Sequence, residues 1–205
     1  MIELYTAATP NGRKSSIALE ELGLPYSVHR IDIGKGDQHS PEFTRLSPNQ
    51  KIPAIVDQET GISLFESGAI LLYLASKTGR LLPQGEEAYW ATIQWLMWQK
   101  GGFGPMLGQA LHFLKFNPGK SEYAEARFRE EATRLYGVLD ARLAERPYIA
   151  GEEYTIADIA SWPWAARHEM QFIDLAQYPN VLRWYLSIAV RPAVQRGWAV
   201  PIPEE

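Results

Sequence analysis

The pattern of apolar and polar positions in the first 80 residues predicts a mixed sheet flanked by helices. Strands are predicted at four short apolar stretches, 2–5, 26–33, 54–56 and 62–65. Helices are predicted at 13–22, 41–46 and 67–77. Gly23 and Gly79 stand where a C-cap glycine ends the first and third helix. Along the second strand we expect Tyr26, Val28 and Ile31 to face the core. The order βαβ and then ββα predicts an α/β domain.

After residue 85 the pattern becomes helical throughout. A linker is predicted at residues 81–85, between an α/β domain at 1–80 and an all-helical domain at 86–205. The predicted helices are 86–97 and onward, 122–144, one starting near residue 155, and 181–190. The glycine-rich stretch 101–105 is expected to break the first of them. Thr155 and Asp158 have the spacing of a capping box.

Composition narrows the classes of function. The 205 residues are 46% apolar and carry a net charge of −4, which favours a folded protein that binds neither nucleic acid nor an anionic membrane. The apolar run at the start is too short for a signal peptide, and no run reaches the length of a membrane span. We therefore expect a cytoplasmic protein. With no cysteine, the chain has no disulfide, no thiolate metal site and no protein thiol nucleophile.

The first segment with chemical interest is 50–55, around Ile52-Pro53. A proline at the start of a strand lacks an N–H and favours an edge position. If the Ile52–Pro53 bond is cis, Ile52 can offer free backbone groups to an extended peptide, as an added strand does. An ordinary edge-strand proline is the alternative.

A carboxylate and a hydroxyl meet at the predicted junction of strand and helix, in Glu66-Ser67. Glu66 can pair with an ammonium group, and Ser67 can join the N–H groups of the helix start in holding a carboxylate. Together they could recognise the head group of an amino acid. A simple N-cap beside an exposed acid is the alternative. Phe65 rules out the G-x-S-x-G pattern of an α/β-hydrolase.

Thr9-Pro10-Asn11 precedes the first predicted helix. A hydroxyl, an amide and a helix N-terminus can all stabilise a thiolate, although a turn with a cap explains the same residues. Tyr5 lies within the first strand and is interpreted as packing.

Other candidate sites are weaker. The glycines of 101–108 follow a helix, so they do not form a dinucleotide loop. The four histidines lack the spacing of metal ligands, and no metal is expected. The tryptophans at helical spacing are typical of a core. Three apolar residues of the helical half could line an acceptor pocket: Phe103, Met106 and Phe113.

Taken together, the three segments resemble the glutathione transferase family over essentially the whole chain. The runs 9–12, 34–36, 65–74 and 101–109 are similar to the bacterial nu class, which is related to a yeast nitrogen-regulator prion protein. The resemblance implies a thioredoxin-like N-terminal domain followed by an all-α domain. It also implies a homodimer that binds glutathione, as co-substrate, and glutathione disulfide.

The resemblance also implies residue roles. Thr9 and Asn11 would lie at the glutathione sulfur, as catalytic residues. Ile52 and Pro53 would bind the cysteinyl backbone of glutathione, and Glu66 and Ser67 would bind its γ-glutamyl end. Gln38 and Lys51 would lie near the glycyl carboxylate. Arg127 would reach glutathione from the partner subunit.

Class resemblance favours reduction of disulfides or peroxides by glutathione, with weak conjugation as a possible side activity. Conventional conjugation and ether cleavage are alternative chemistries on the same scaffold. The alternative to an enzyme is a non-catalytic protein of the same fold that serves in interaction or regulation.

Overall fold

A four-stranded mixed sheet forms the centre of the N-terminal part of the chain. The computed structural model describes residues 1–202. The strands are β1 (Ile2–Thr6), β2 (Tyr26–Arg30), β3 (Ala54–Asp57) and β4 (Ile62–Phe65). They lie in the order β2-β1-β3-β4, with β2 parallel to β1 and the other pairs antiparallel. The predicted hairpin of β3 and β4 and the α/β class are confirmed, and the sheet is thioredoxin-like.

Three helices accompany this sheet: α1 (Pro10–Leu22), α2 (Pro41–Leu46) and α3 (Ser67–Thr78). Helix α1 begins three residues earlier than predicted, because Thr9 caps it and Pro10 occupies the first turn, where a missing N–H costs nothing. Gly23 and Gly79 end α1 and α3 in the left-handed conformation, as predicted.

Strand β2 is shorter than predicted and ends at Arg30. It is the edge strand beside β1, so its faces are only partly covered. The expectation that Val28 faces the core is therefore wrong, since 40% of that residue is exposed. Tyr5 packs its ring on His29, with 4.4 Å between ring centroids, which agrees with a packing role for Tyr5.

Most of the rest of the chain is helical. The helices are α4 (Glu86–Trp98), α5 (Gly104–Ala110), α6 (Glu122–Leu143), α7 (Ile156–Ala165), α8 (Pro179–Ala189) and α9 (Pro192–Trp198). None of the helices in residues 1–202 has the length and apolarity needed to cross a membrane.

The predicted break at 101–105 does not occur. The chain passes from α4 into α5 through a wide helical turn at Gln99–Phe103, and Pro105 lies at the start of α5. Gly104 serves packing, since a Cβ there would lie 3.2 Å from the Trp164 indole nitrogen, whereas a Cβ on Gly101 would meet nothing within 4 Å. The prediction of a break is therefore wrong, because Gly104 allows two helices to approach closely while the chain stays helical.

Contacts divide the described chain into two compact units. The first contains Met1–Leu82 together with 190–202, and the second is Pro83–Ala189. The predicted second domain runs from residue 86 to the C-terminus, whereas in the structure α9 packs on α1. Helix α9 was not predicted, because Pro192 was interpreted only as the end of α8, although it begins a new helix.

Asp158 organises the core of the second unit. Its carboxylate accepts hydrogen bonds from the Thr155 N–H at 2.9 Å and the Ile149 N–H at 2.9 Å, and from the Trp184 indole at 2.9 Å. The predicted capping box of Thr155 and Asp158 is confirmed. Burial raises the pKa of Asp158 to about 6 despite these donors.

Candidate functional site

The three segments of interest leave the sheet at the same end. Tyr5 pairs with Ala54, and Ala54 pairs with Phe65, so the end of β1, the start of β3 and the end of β4 form one row. Because these neighbours run antiparallel, the segment after β1, the segment before β3 and the segment after β4 emerge side by side. Sheet topology thus brings together residues 7–11, 52–53 and 66–67.

The start of α1 has the chemistry expected for holding an anion. The Gly12 N–H donates to Thr9 Oγ1 over 3.2 Å, and Asn11 lies half-buried in the first turn. That turn contains no acidic residue, so the positive end of the helix dipole is not neutralised from within. Gly12 fits closely, since a Cβ there would lie within 2.4 Å of Thr6 Oγ1. The turn from β1 is therefore tight and fixes where the helix begins.

The Ile52–Pro53 peptide bond is cis, which is the condition set for Ile52 to offer its backbone groups to an extended peptide. The edge position expected for Pro53 is wrong, because β3 lies inside the sheet between β1 and β4. Pro53 is tolerated because it stands just before Ala54, the first residue of β3. Within residues 1–202 the backbone of Ile52 makes no hydrogen bond, so its N–H and C=O can pair with an incoming peptide.

Glu66 has an unusual backbone conformation, with φ 69° and ψ 113°. This positive φ is costly for a residue with a Cβ, and such residues concentrate at functional sites. Glu66 occupies the N-cap position of α3, and its side chain makes no capping hydrogen bond. Ser67 is the first residue of α3 and only 3% of it is exposed. The exposed carboxylate and the buried hydroxyl are therefore adjacent at a helix start.

Gln38 and Lys51 lie on two loops that His39 joins. The His39 Nδ1 lies 2.7 Å from Gln50 Oε1, and its Nε2 lies 3.2 Å from Gln38 Nε2. Lys51 follows Gln50 and is exposed, while its backbone is held by the buried Ser47 hydroxyl at 2.8 Å. His39 and Gln50 were not among the predicted site residues. Their only signal in the sequence is polarity within two loops, which is too common to single them out.

The amide oxygen of Gln38 is buried and, among the described residues, accepts no hydrogen bond. A buried acceptor without a donor is costly, and a donor from a bound molecule would satisfy it.

The candidates from the helical unit have different surroundings. Arg127 is exposed on α6 and lines a cavity of about 330 Å³ with Met106 and Phe128. Phe113 stacks on Phe128 with 5.4 Å between centroids. Phe103, by contrast, is fully buried. An acceptor pocket lined by Phe103 is therefore wrong, because its ring packs in the core between Trp98 and Tyr136.

Within the described residues, no three histidine or carboxylate side chains are grouped as metal ligands would be.

Two family models match the chain. Residues 1–76 match the glutathione S-transferase N-terminal domain, and residues 103–192 match the glutathione S-transferase C-terminal domain. Over 198 residues the chain is 53% identical to the disulfide-bond oxidoreductase YfcG of Escherichia coli K12, covering 94% of this chain and 92% of that protein.

Solved structures give the same result. A glutathione transferase from Burkholderia graminis, with two glutathione molecules bound per subunit, superposes with a TM-score of 0.93 at 44% identity, over 99% of this chain and 89% of that one. A glutathione transferase from Pseudomonas putida, with one glutathione disulfide bound per subunit, gives 0.92 at 44% identity, over 98% and 91%.

Proposed function

Because this chain belongs to the glutathione S-transferase family, we propose that it is a glutathione-dependent enzyme that reduces disulfides. The main support is the convergence of residues 7–11, 52–53 and 66–67 at one end of the sheet. The first segment suits a thiolate, the second an extended peptide and the third an amino-acid head group. Glutathione contains all three features.

In this proposal each end of glutathione has its own partners. Glu66 pairs with the γ-glutamyl ammonium, and Ser67 with the N–H groups of α3 holds the neighbouring carboxylate. Ile52, oriented by Pro53, pairs with the cysteinyl backbone as an added strand does. Lys51 lies toward the glycyl carboxylate, and the buried Gln38 amide oxygen accepts an N–H from the ligand.

The proposed chemistry begins at the sulfur. Thr9 and Asn11, with the positive end of α1, lower the pKa of the glutathione thiol, whose ordinary value near 8.5 leaves it mostly protonated at neutral pH. The thiolate attacks one sulfur of a disulfide RSSR, so that GSSR forms and RS⁻ leaves. RS⁻ takes up the proton that the glutathione thiol released. A second glutathione then attacks GSSR, giving glutathione disulfide and a second RSH. Because the chain has no cysteine, both electrons come from the two glutathione molecules.

The proposal is tested by following glutathione disulfide formation with a small hydroxyalkyl disulfide as substrate, beside conjugation of an aromatic halide. Disulfide reduction well above the conjugation rate supports the reductase. Fast conjugation without disulfide reduction would replace it by a conventional transferase. Hydroperoxides, tested in the same assay, show whether the thiolate also reduces peroxides.

A non-catalytic protein of this fold is the second candidate. The positive φ of Glu66 argues against a non-catalytic protein. Backbone strain of this kind costs folding free energy and is concentrated at functional sites. Retention of the protein on immobilised glutathione, followed by elution with glutathione disulfide, separates a working site from a vestigial one.

We propose a homodimer in which Arg127 contributes to the site of the neighbouring subunit. Trp90 and Met97 support an interface on α4, because they are 59% and 49% exposed and lie two turns apart on one helix face. A two-fold dimer is the commonest assembly among soluble oligomers in general. A monomer measured by light scattering at micromolar concentration would contradict the dimer. Unchanged glutathione affinity in Arg127→Ala would contradict the proposed contribution of Arg127 to the neighbouring site.

The proposed location is the cytoplasm, because the reaction consumes reduced glutathione and that compartment maintains it.

A further inference from the structure

His39 connects two loops that carry proposed glutathione contacts. Gln38 precedes it directly, and the Gln38 Nε2 lies 3.2 Å from the His39 Nε2. On the other side of the ring, the His39 Nδ1 lies 2.7 Å from the Gln50 Oε1, and Gln50 precedes Lys51 in the second loop. The exposed ring of His39 is therefore placed to control how the Gln38 amide is oriented.

The direction of these hydrogen bonds is set by a backbone carbonyl. Gln38 Nε2 also donates to the Ile33 carbonyl over 3.4 Å. Because a carbonyl only accepts, the NH2 group of Gln38 must lie on this side, and the opposite orientation would set two oxygens against each other. The same NH2 group faces His39 Nε2, so that nitrogen accepts and carries no proton.

The other ring nitrogen has the complementary state. Gln50 Nε2 donates to Thr44 Oγ1 over 3.3 Å, so the oxygen of Gln50 is the atom that faces His39. An amide oxygen only accepts, and His39 Nδ1 therefore carries the proton. Gln50 is itself held in place, since its N–H donates to the Ser47 carbonyl over 2.8 Å. The result is one directed chain of hydrogen bonds that requires neutral His39 with its proton on Nδ1.

We propose that His39 is a positioning residue that presents the Gln38 amide oxygen to the glycyl N–H of glutathione, and so makes the site select the tripeptide over γ-glutamylcysteine. The inference rests on the proposed function, which puts the glycyl end at Gln38 and Lys51. Gln38 Oε1 is buried and accepts no hydrogen bond within residues 1–202, so a ligand N–H is the donor it lacks. In γ-glutamylcysteine a carboxylate replaces that amide, and two acceptors form no hydrogen bond.

The test measures the selection between these two thiols in the full-length protein. Glutathione and γ-glutamylcysteine are titrated by calorimetry into the wild type and His39→Phe, which keeps a ring but cannot accept from Gln38. We expect the variant to bind glutathione about three- to tenfold more weakly, the usual effect of one neutral hydrogen bond, and γ-glutamylcysteine within about twofold of wild type. An equal loss for both thiols would make His39 a structural support of the loops and overturn the inference.

Two conservative variants separate the nitrogens of the ring. The amide oxygen of a glutamine can occupy the place of His39 Nε2 and accept from Gln38, so His39→Gln should restore most of the preference for glutathione. The shorter asparagine reaches only to the place of Nδ1, so His39→Asn should resemble His39→Phe. Restoration by asparagine and not by glutamine would overturn the role of Nε2.

A double-mutant cycle tests whether His39 acts through Gln38. In a Gln38→Ala background, His39→Phe should cause no further loss of glutathione affinity, because the amide through which it acts is gone. An undiminished further loss would overturn the inference. His112→Phe is the matched control, since His112 is likewise exposed but lies in the second unit. It should bind both thiols as the wild type does.

Nitrogen NMR of the imidazole reads the proton position directly. At about pH 8, above the range in which histidine ordinarily takes up a proton, the His39 ring should carry its proton on Nδ1. A proton on Nε2 would overturn the inference. An unchanged preference between the two thiols in His39→Phe would also overturn it and leave the proposed function standing. A wild type that binds neither thiol would overturn both.

Discussion

Gly197 lies directly against the backbone of Ile17. A Cβ at position 197 would stand 2.6 Å from the Ile17 Cα and 2.7 Å from its nitrogen, distances that no relaxed contact allows. The neighbouring hydrogen bond from Ser16 to the Gly197 carbonyl depends on the same close approach. The last helix and the first helix are therefore joined through a position where only glycine fits.

Gly197→Ala should lower the free energy of unfolding by about 1–3 kcal/mol, the usual cost of overpacking where backbone atoms cannot move aside. Urea unfolding monitored by circular dichroism measures it. Gly137→Ala is the control, because nothing lies within 4 Å of a Cβ there and the site is within helix α6, where alanine is expected to stabilise. Equal stability of both variants would show that α9 can shift at no cost.

Glu66→Ala should weaken glutathione binding by roughly 1.5–3 kcal/mol, the value of a charge-assisted hydrogen bond. Calorimetry gives the dissociation constant. Glu42→Ala, which removes an exposed acid from α2, should bind glutathione as the wild type does. Unchanged affinity in Glu66→Ala would remove Glu66 from the site.

The same position allows a test of backbone strain. At φ 69° alanine keeps the Cβ clash that glutamate has, whereas glycine loses it. We expect Glu66→Gly to be more stable than Glu66→Ala by roughly 1 kcal/mol, although both variants lose the carboxylate. Thermal melts of the two variants, compared at equal concentration, decide the matter. An alanine variant as stable as the glycine variant would mean that position 66 carries no strain.

Asn11→Ala should lower kcat far more than glutathione affinity. Its proposed bond is to the sulfur, where charge develops, and not to the ends of the peptide. Steady-state kinetics with a small disulfide and calorimetry with glutathione provide the two numbers. A parallel loss of affinity and turnover would instead assign Asn11 to ordinary binding.

Asp57 makes stability depend on pH. Burial raises the pKa of its carboxyl, but Tyr73 at 2.6 Å, Lys77 at 2.9 Å and the Glu59 N–H outweigh burial and bring the pKa from 3.8 to about 2. A carboxyl with a depressed pKa stabilises the fold above its unfolded pKa and loses that contribution as pH falls through the folded value.

The free energy of unfolding should therefore fall as pH is lowered from 3.8 toward 2, and Asp57→Asn should be less stable at neutral pH and show a flatter profile. Urea unfolding across this range measures both, with Glu42→Gln as an exposed control. A profile for Asp57→Asn that matches the wild type would assign the acid sensitivity to other carboxyls.

Much of the fold follows from the sequence because its signals are local. The β3–β4 hairpin, the C-cap glycines Gly23 and Gly79 and the capping box of Thr155 and Asp158 depend on residues close together in the chain. Their hydrogen bonds close over a few residues, so residue type and spacing suffice to predict them. The segments around Thr9, Ile52 and Glu66 were identified in the same way, from functional groups placed at the ends of predicted elements.

What the tertiary structure decided depends on contacts between distant segments. Pro53 precedes an interior strand and not an edge strand, because the pairing of β3 with both β1 and β4 is set by the whole sheet. Gly104 lies in a helix and packs against Trp164. Gly197 allows α9 to contact α1, and its hydrogen-bond partner Ser16 lies 181 residues away in the chain. A local pattern cannot encode which distant surface will cover it, since burial and close approach are properties of the packed chain. The sequence by itself thus determined the elements and the chemistry at their ends, and packing decided which of those ends meet.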